Sequence, residues 1–253
     1  MRLALIALAA ITAAGLATPA FAACGDATAL GISRTVSVDP TGGFAVGSMQ
    51  RYRGSLGLEP GEVVLTFDDG PMPGRTDKVL DALDAACVKA TFFVVGRMAR
   101  AYPDLLAREA AEGETIGTHS WSHPTTLARL SYDAGARQID RGIAAIAALL
   151  GHAPAPFFRF PGFGDSRALR QKLNDQGIAI FGADVVGSDW TGISADAIRR
   201  NVLRRLKQHN GGIVMLHDIK KATAKMLPQL LADLKLAGYR IVAIVPTAPV
   251  AAL

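Results

Sequence analysis

From Val63 onward the chain alternates two hydrophobic periods, and this alternation limits its fold more than any single motif does. Short runs rich in β-branched and aromatic residues recur at Val63 to Phe67, Ala90 to Val95, Thr115 to Thr118, Phe157 to Phe160, Ile178 to Ala183, Ile213 to Leu216 and Arg240 to Val245. Between them lie segments with apolar residues at helical spacing, such as Thr76 to Ala86 and Ser194 to Gln208. Strands that alternate with helices form a parallel sheet, because parallel neighbours need a crossover. Seven such strands predict an α/β chain with a closed or nearly closed (β/α) barrel rather than an open doubly wound sheet. No GxGxxG turn is present, which argues against a dinucleotide fold.

Polar residues collect at one end of these runs. Asp68 and Asp69 follow the first, His119 the third, Arg159 ends the fourth, Asp189 and Trp190 follow the fifth, and His217 follows the sixth. In parallel β/α architectures the carboxyl ends of the strands carry the active site, so this distribution predicts a site there. The segment "HSWSH" spaces His119 and His123 four apart, which on a helical turn places both imidazoles on one side, within reach of one ion. Five histidines occur in the whole chain, so two within five residues is an informative pairing. One carboxylate from another strand end would complete three protein ligands and leave open positions, as a catalytic ion requires.

The run "VVLTFDDG" sets two adjacent carboxylates at the end of an apolar strand. Unpaired, they would repel. A divalent cation on one of them offsets that cost and frees the other for proton transfer. Successive strand residues point to opposite faces, but the turn at Gly70 and Pro71 breaks the pleat, so both acids can face one cavity. The competing reading is that one of them caps the next turn or helix. Residue chemistry alone leaves open which of the two would hold the ion.

From about residue 61 to 245 the chain resembles the polysaccharide deacetylases of carbohydrate esterase family four, which include peptidoglycan, chitin and nodulation-type chitooligosaccharide deacetylases. "TFDDG", "HSWSH", "RFPG", "SDW" and "MLHD" resemble its five motifs and occur in the family's order. The resemblance implies a distorted seven-stranded (β/α) barrel and a metal-dependent N-deacetylase. It implies that Asp69, His119 and His123 bind the metal, zinc first, with cobalt, nickel or manganese also able to serve. Asp68 would be the general base and His217 the general acid that protonates the departing amine. Arg159 would orient Asp68, Asp189 would tune the local charges, and Trp190 would shape the cavity. Leu216 would wall the acetyl pocket, and a backbone N–H near Pro161 and Gly162 would help to stabilise an oxyanion. Two departures bear on substrate preference. The family often carries Tyr after the third motif's Pro, where Gly162 and Phe163 stand here. An Asp three residues before the fourth motif's Asp is replaced by Val186, with Asp184 further upstream.

Residues 1–22 read as a secretory leader, with Arg2 before a long apolar stretch and Ala20-Phe21-Ala22 as an A-x-A cleavage signal. Residues 23–60, rich in Gly, Asp, Ser and Pro and containing "RTVSV" as a short strand, predict an N-terminal arm on a single catalytic domain at 61–253. Secretion makes an even pair of cysteines, Cys24 and Cys87, a candidate disulfide; the alternative use of Cys24 is lipid attachment at the membrane. The formal net charge of +5 is far below a nucleic-acid signature and suits anionic envelope polymers or ordinary solubility. "RRNVLRRLKQ" predicts a surface helix with Ile198, Val202, Leu203 and Leu206 inward and Arg199, Arg200, Arg204, Arg205 and Lys207 on solvated sides.

His152 and His209 follow helical segments and read as C-terminal caps, while Trp121 suits either sugar stacking or core packing. The expected substrate is an acetylated amino-sugar polymer or oligomer, with no nucleic-acid partner and no membrane span after the leader. Alternatives are a small-amide hydrolase on the same barrel, a non-haem iron oxygenase and a non-catalytic glycan binder. The leader and the added base and acid argue against the oxygenase, and intact Asp68 and His217 argue against the binder. The sequence leaves the glycan, the metal and the oligomeric state open.

Overall fold

The computed structural model describes Cys24 and residues 29–247. The proposed leader lies outside the described residues. Among those described, no helix is long and apolar enough to cross a membrane.

The strands are β1 (Ile32–Val38), β2 (Ala45–Val46), β3 (Glu62–Asp68), β4 (Thr91–Val94), β5 (Thr115–Thr118), β6 (Phe157–Phe158), β7 (Ala179–Phe181), β8 (Val185–Val186), β9 (Gly212–His217) and β10 (Arg240–Pro246). The helices are α1 (Thr76–Ala85), α2 (Gly96–Ala101), α3 (Pro103–Ala111), α4 (Tyr132–Leu150), α5 (Arg167–Asp175), α6 (Ala195–His209) and α7 (Lys221–Leu236). From β3 the sheet runs one way through β4, β5, β6 and β7 to β2, and the other way through β9 to β8. Every strand pairing is parallel.

The sequence counts seven barrel strands, but the structure chooses a different seven. Val185 and Val186 form β8 against β9. The last run, Arg240–Pro246, pairs with β1 along its length and touches β3 only at Glu62 and Val63. A two-residue strand carries no period to detect, whereas the apolar run of β10 looks like any other barrel strand.

Strand alternation divides the core. Val63, Leu65 and Phe67 of β3 face outward with Val214 and Leu216 of β9, packing on Val79, Leu80 and Leu83 of α1, Ile198, Val202 and Leu206 of α6, and Leu227, Leu230 and Leu234 of α7. Val64, Phe93, Phe157, Phe181 and Ile213 form a second cluster inside the barrel, which Val242 and Ile244 of β10 and Val38 of β1 join from below. The inward positions at the upper ends are therefore in phase with Asp68, His119, Arg159 and His217. This shared phase carries chemistry-bearing side chains from four strands into one mouth.

No strand pairing joins β7 to β8. The gap is stitched by the segment after β2: Met49 N–H donates to Ala183 O (3.0 Å), and Gln50 Oε1 accepts from Ala183 N–H (2.9 Å). Asp184 accepts from Ser48 N–H and Ile213 N–H, both at 2.8 Å, so the acid upstream of the fourth motif ties strands together. Cys24 and Cys87 form a disulfide with Cα atoms 5.4 Å apart, joining the start of the arm to the second residue after α1. That bond occupies the sulfur that thioether lipidation of Cys24 would need.

Candidate active site

Asp68 ends β3 on the inward phase and is buried. Asp69 would point away by alternation, but its φ of 83° lies in the left-handed region, which rotates its carboxylate toward the same mouth. The turn beyond it is tightly enclosed. A Cβ on Gly70 would lie 1.9 Å from Asp218 Oδ2, so only glycine fits there. Asp218, buried and hydrogen-bonded to Thr76 Oγ1, thus walls the turn that presents Asp69.

His119 and His123 converge by a route that their spacing does not suggest. Residues 119–123 form a loop after β5, not a helical turn, and Ser120 and His123 have φ of 66° and 56°. The loop is held by His123 N–H to Ser120 Oγ (3.1 Å), Trp121 N–H to Gln138 O (2.8 Å) and Ser122 N–H to Gln138 Oε1 (3.0 Å). Helix α4 approaches so closely that a Cβ on Gly142 would sit 2.6 Å from the Ser120 carbonyl carbon. Local polar bonds outcompete the helix here because Ser side chains offer the backbone alternative partners.

The result is a compact donor set. Asp69 Oδ1 lies 3.2 Å from His123 Nε2 and 3.6 Å from His119 Nε2, and one ligand atom from each of the three residues lies within 4.8 Å of the others. His119 Nδ1 is 2.7 Å from Arg159 O, an acceptor only, so Nδ1 carries the proton and Nε2 presents a lone pair. Burial, opposed in part by Asp68 and Asp69, lowers the His119 pKa to about 4, leaving the ring neutral as a ligand must be. Asp69 Oδ1 is buried with no hydrogen-bond partner. An orphaned carboxylate oxygen facing two imidazole nitrogens fits a divalent cation.

Two charge pairs flank that set. Arg159, fully buried, donates from Nη1 to Asp68 Oδ1 (2.6 Å) and Thr66 Oγ1 (2.8 Å), and from Nη2 to Gly182 O (2.7 Å), while its guanidinium carbon sits 4.2 Å from the Phe93 ring centre. Asp68 Oδ2 is left facing His119 Nε2 at 3.8 Å. Across the mouth, His217 Nδ1 donates to Asp189 Oδ1 (2.8 Å), and Asp189 Oδ2 accepts from His217 N–H (2.7 Å) and Thr223 Oγ1 (2.6 Å). Burial pulls the His217 pKa down, but the hydrogen bond and charge of Asp189, with Asp68 and Asp69 adding, override it and raise the value to about 9. Its Nε2 faces Asp69 Oδ2 at 3.9 Å.

Asp68, Asp69, His119, His123 and His217 border a cavity of about 610 Å³, with Arg159 and Asp189 behind its wall. Gly162 and Trp190 line it as expected; Trp190 is 48% exposed and meets the His217 ring edge-on, 5.6 Å between centres. Pro161 is buried and does not line it. Leu216 is not on the wall either. It faces outward on β9, where a Cβ on Gly187 would touch it, and its inward neighbour Met215 lines the cavity instead. Alternation along β9 dictates the exchange, since His217 and Met215 share a phase and Leu216 does not. Asp189 follows β8 rather than the fifth expected strand.

Met49, Thr125, Phe163 and Ser188 also line the cavity. Phe163 and Ser188 adjoin motif residues and could have been suspected, but Met49 comes from the arm with no local signal. Arg205, expected on a solvated side, borders the cavity too. Trp121 lies under the Arg141 guanidinium, 3.9 Å from its ring centre, and is absent from the cavity wall. His152 Nδ1 bonds Ala153 O, and the C-caps of α4 and α6 are the left-handed residues Gly151 and Asn210, with His209 the last residue of α6.

Residues 57–181 match the family model described as polysaccharide deacetylase. A peptidoglycan-N-acetylglucosamine deacetylase of Bacillus cereus is 37% identical over 186 residues, covering 72% of this chain and 66% of its own length. A chitooligosaccharide deacetylase of Rhizobium leguminosarum bv. trifolii is 32% identical, covering 73% of this chain and 81% of the relative. The structure of a Bdellovibrio bacteriovorus peptidoglycan deacetylase superposes with a TM-score of 0.77 at 33% identity, covering 85% of this chain and 59% of that one. This chain spans 66% of the Bacillus cereus relative and 38% of two further curated relatives.

Proposed function

The chain belongs to the polysaccharide deacetylase family, and from that membership we propose that it is a secreted, metal-dependent hydrolase that removes N-acetyl groups from amino-sugar polymers or oligomers of the peptidoglycan or chitooligosaccharide type. The observation that carries this reading is the placement of Asp68, backed by Arg159, and His217, backed by Asp189, on either side of the Asp69, His119 and His123 donor set.

Asp69, His119 and His123 would hold the ion, with zinc the first choice for two imidazoles and one carboxylate. A divalent cation held there supplies a Lewis acid, lowering the pKa of water to ~7 and polarising an amide carbonyl. Asp68 uses one oxygen to receive Arg159 and keeps the other free toward the mouth, where it takes the proton of the attacking water. His217, protonated near neutrality, delivers a proton from Nε2 to the amine nitrogen, which leaves poorly as an anion. Asp189 fixes the His217 ring with Nδ1–H toward itself, so the proton delivered comes from the face directed at the cavity. The Gly162 backbone N–H, on the rim, would share the developing oxyanion charge. Met215, rather than Leu216, offers the apolar wall for an acetyl methyl.

The apolar leader at residues 1–22 supports secretion, and the disulfide between Cys24 and Cys87 is consistent with an oxidising compartment. The reading divides the chain into leader, arm to residue 60 and catalytic domain at 61–253. A panel of chitooligosaccharides, peptidoglycan fragments and small N-acetyl amides tests the substrate class by acetate release. Turnover of at least one glycan well above the small amides is expected. Turnover confined to the small amides would replace the glycan reading, and acetate release from none of them would remove the hydrolase.

A further inference from the structure

Single exposed hydrophobic side chains are ordinary on a protein surface and need no function. Met49 is a different case. It is 45% exposed and belongs to no core cluster, yet it borders the catalytic cavity. Its backbone is also held firmly. Beyond the bonds that tie the segment to Ala183 and Asp184, Arg51 N–H donates to Ser48 O (3.0 Å) and Tyr52 N–H to Gly47 O (3.2 Å). A Cβ on Gly47, whose φ is 127°, would lie 2.6 Å from Ala183 N, and one on Gly182 would lie 1.9 Å from Gln50 Oε1. The segment and the end of β7 therefore meet with no room between them. The chain thus keeps an apolar side chain in water on a fixed backbone at the edge of its active site. Such a group favours whatever covers it, and little ordering is left to be done when that happens.

Burial orders the apolar lining of this cavity by depth, and the order identifies the occupant. Phe160, Val186 and Met215 are buried and form its floor, whereas Met49 and Trp190 are the two lining residues among the large hydrophobic side chains exposed in the described residues, and they stand at its rim. An acetyl methyl is small enough for the floor beside Met215. The sugar ring that carries the acetamido group is then at the level of the rim. A pyranose presents C–H groups on its faces, and an unbranched thioether adapts to such an uneven apolar surface. Trp190 reaches the rim after β8, beside His217, and Met49 reaches it from the segment that closes the β7–β8 gap. A small amide that fills the floor has no ring to touch Met49.

We propose that Met49 is a specificity-determining residue whose side chain covers the sugar ring bearing the acetamido group, so that the arm, and not the barrel alone, separates glycans from small amides. The proposal rests on the deacetylase reading and adds a substrate contact to it. Met49 precedes residue 57, where the match to the family model begins.

The test measures acetate release by the full chain, as wild type, Met49→Ala and Met49→Leu, on a chitooligosaccharide and on a small N-acetyl amide without a sugar ring. Met49→Ala should raise KM for the chitooligosaccharide about three- to tenfold with kcat held, and shift KM for the amide by less than about twofold. Met49→Leu restores apolar bulk and should recover most of the loss. Denaturant unfolding should give the same midpoint for all three proteins, which separates a substrate contact from a structural one. Calorimetry with the chitooligosaccharide on chelated protein reads the same order of affinities without turnover, so failure of the contact is distinguishable from failure of the hydrolase. An unchanged KM and affinity for the chitooligosaccharide in Met49→Ala, equal losses on glycan and amide, or a Met49→Leu protein as impaired as Met49→Ala would overturn the proposal.

Discussion

At the scale of single residues the tasks proposed for two neighbouring acids are separable by experiment. Asp68→Asn is expected to retain the ion and lose turnover by about 10²–10⁴-fold, the range for a general base, whereas His119→Ala should lose metal and activity together. Metal content and acetate release on the same samples check both, and undiminished turnover by Asp68→Asn would remove the base assignment. Asp189→Asn tests the acid. His217 must be protonated to donate, so activity should fall as pH rises through its pKa of about 9. Removing the Asp189 charge withdraws the main influence holding that value up, and the alkaline limb should move toward neutrality by about one unit or more. An unmoved limb would mean that another group sets it. Which acid faces which way was not legible from residues 68 and 69 alone. The answer lies in a left-handed φ at Asp69, a conformation uncommon for non-glycine residues and not signalled by the sequence of the strand before it.

At the scale of elements, much of the architecture was legible because its periods are long. Runs at Val63 to Phe67 and Ile213 to Leu216 became β3 and β9, and the segments at Thr76 and Ser194 became α1 and α6 with their ends displaced by no more than a residue. Less legible were contacts that depend on chain segments meeting across the barrel. The two-residue β8 and the stitching of the β7–β8 gap by Ser48, Gln50 and Asp184 carry no periodic signal. The pairing of His119 with His123 was found by spacing, yet the loop rather than a helical turn brings them together. Asp184→Ala leaves Ser48 N–H and Ile213 N–H without their carboxylate and should destabilise the fold by about 1–3 kcal/mol. Denaturant unfolding measures this, and an unchanged midpoint would show that the gap is held by other contacts.

At the scale of the whole molecule, a barrel sealed below by β10 and β1 and crossed by the arm leaves its upper mouth as the place where inward-phase side chains meet. The disulfide closes a loop between residues 63 apart in sequence, and its loss should cost about 2–4 kcal/mol by releasing the unfolded chain. Thermal unfolding with and without reductant reads that loss, and an unchanged melting temperature would count against it. Because Cys24 and Cys87 lie outside the catalytic cavity, reduction below the melting temperature should leave acetate release intact. The central claim is that Asp69, His119 and His123 hold an ion without which Asp68 and His217 have nothing to act on. Acetate release measured on one preparation before chelation, after exhaustive chelation and after zinc is returned tests it most directly. Activity, its loss and its recovery are expected in that order, and full activity in the chelated sample would rule out the ion's role.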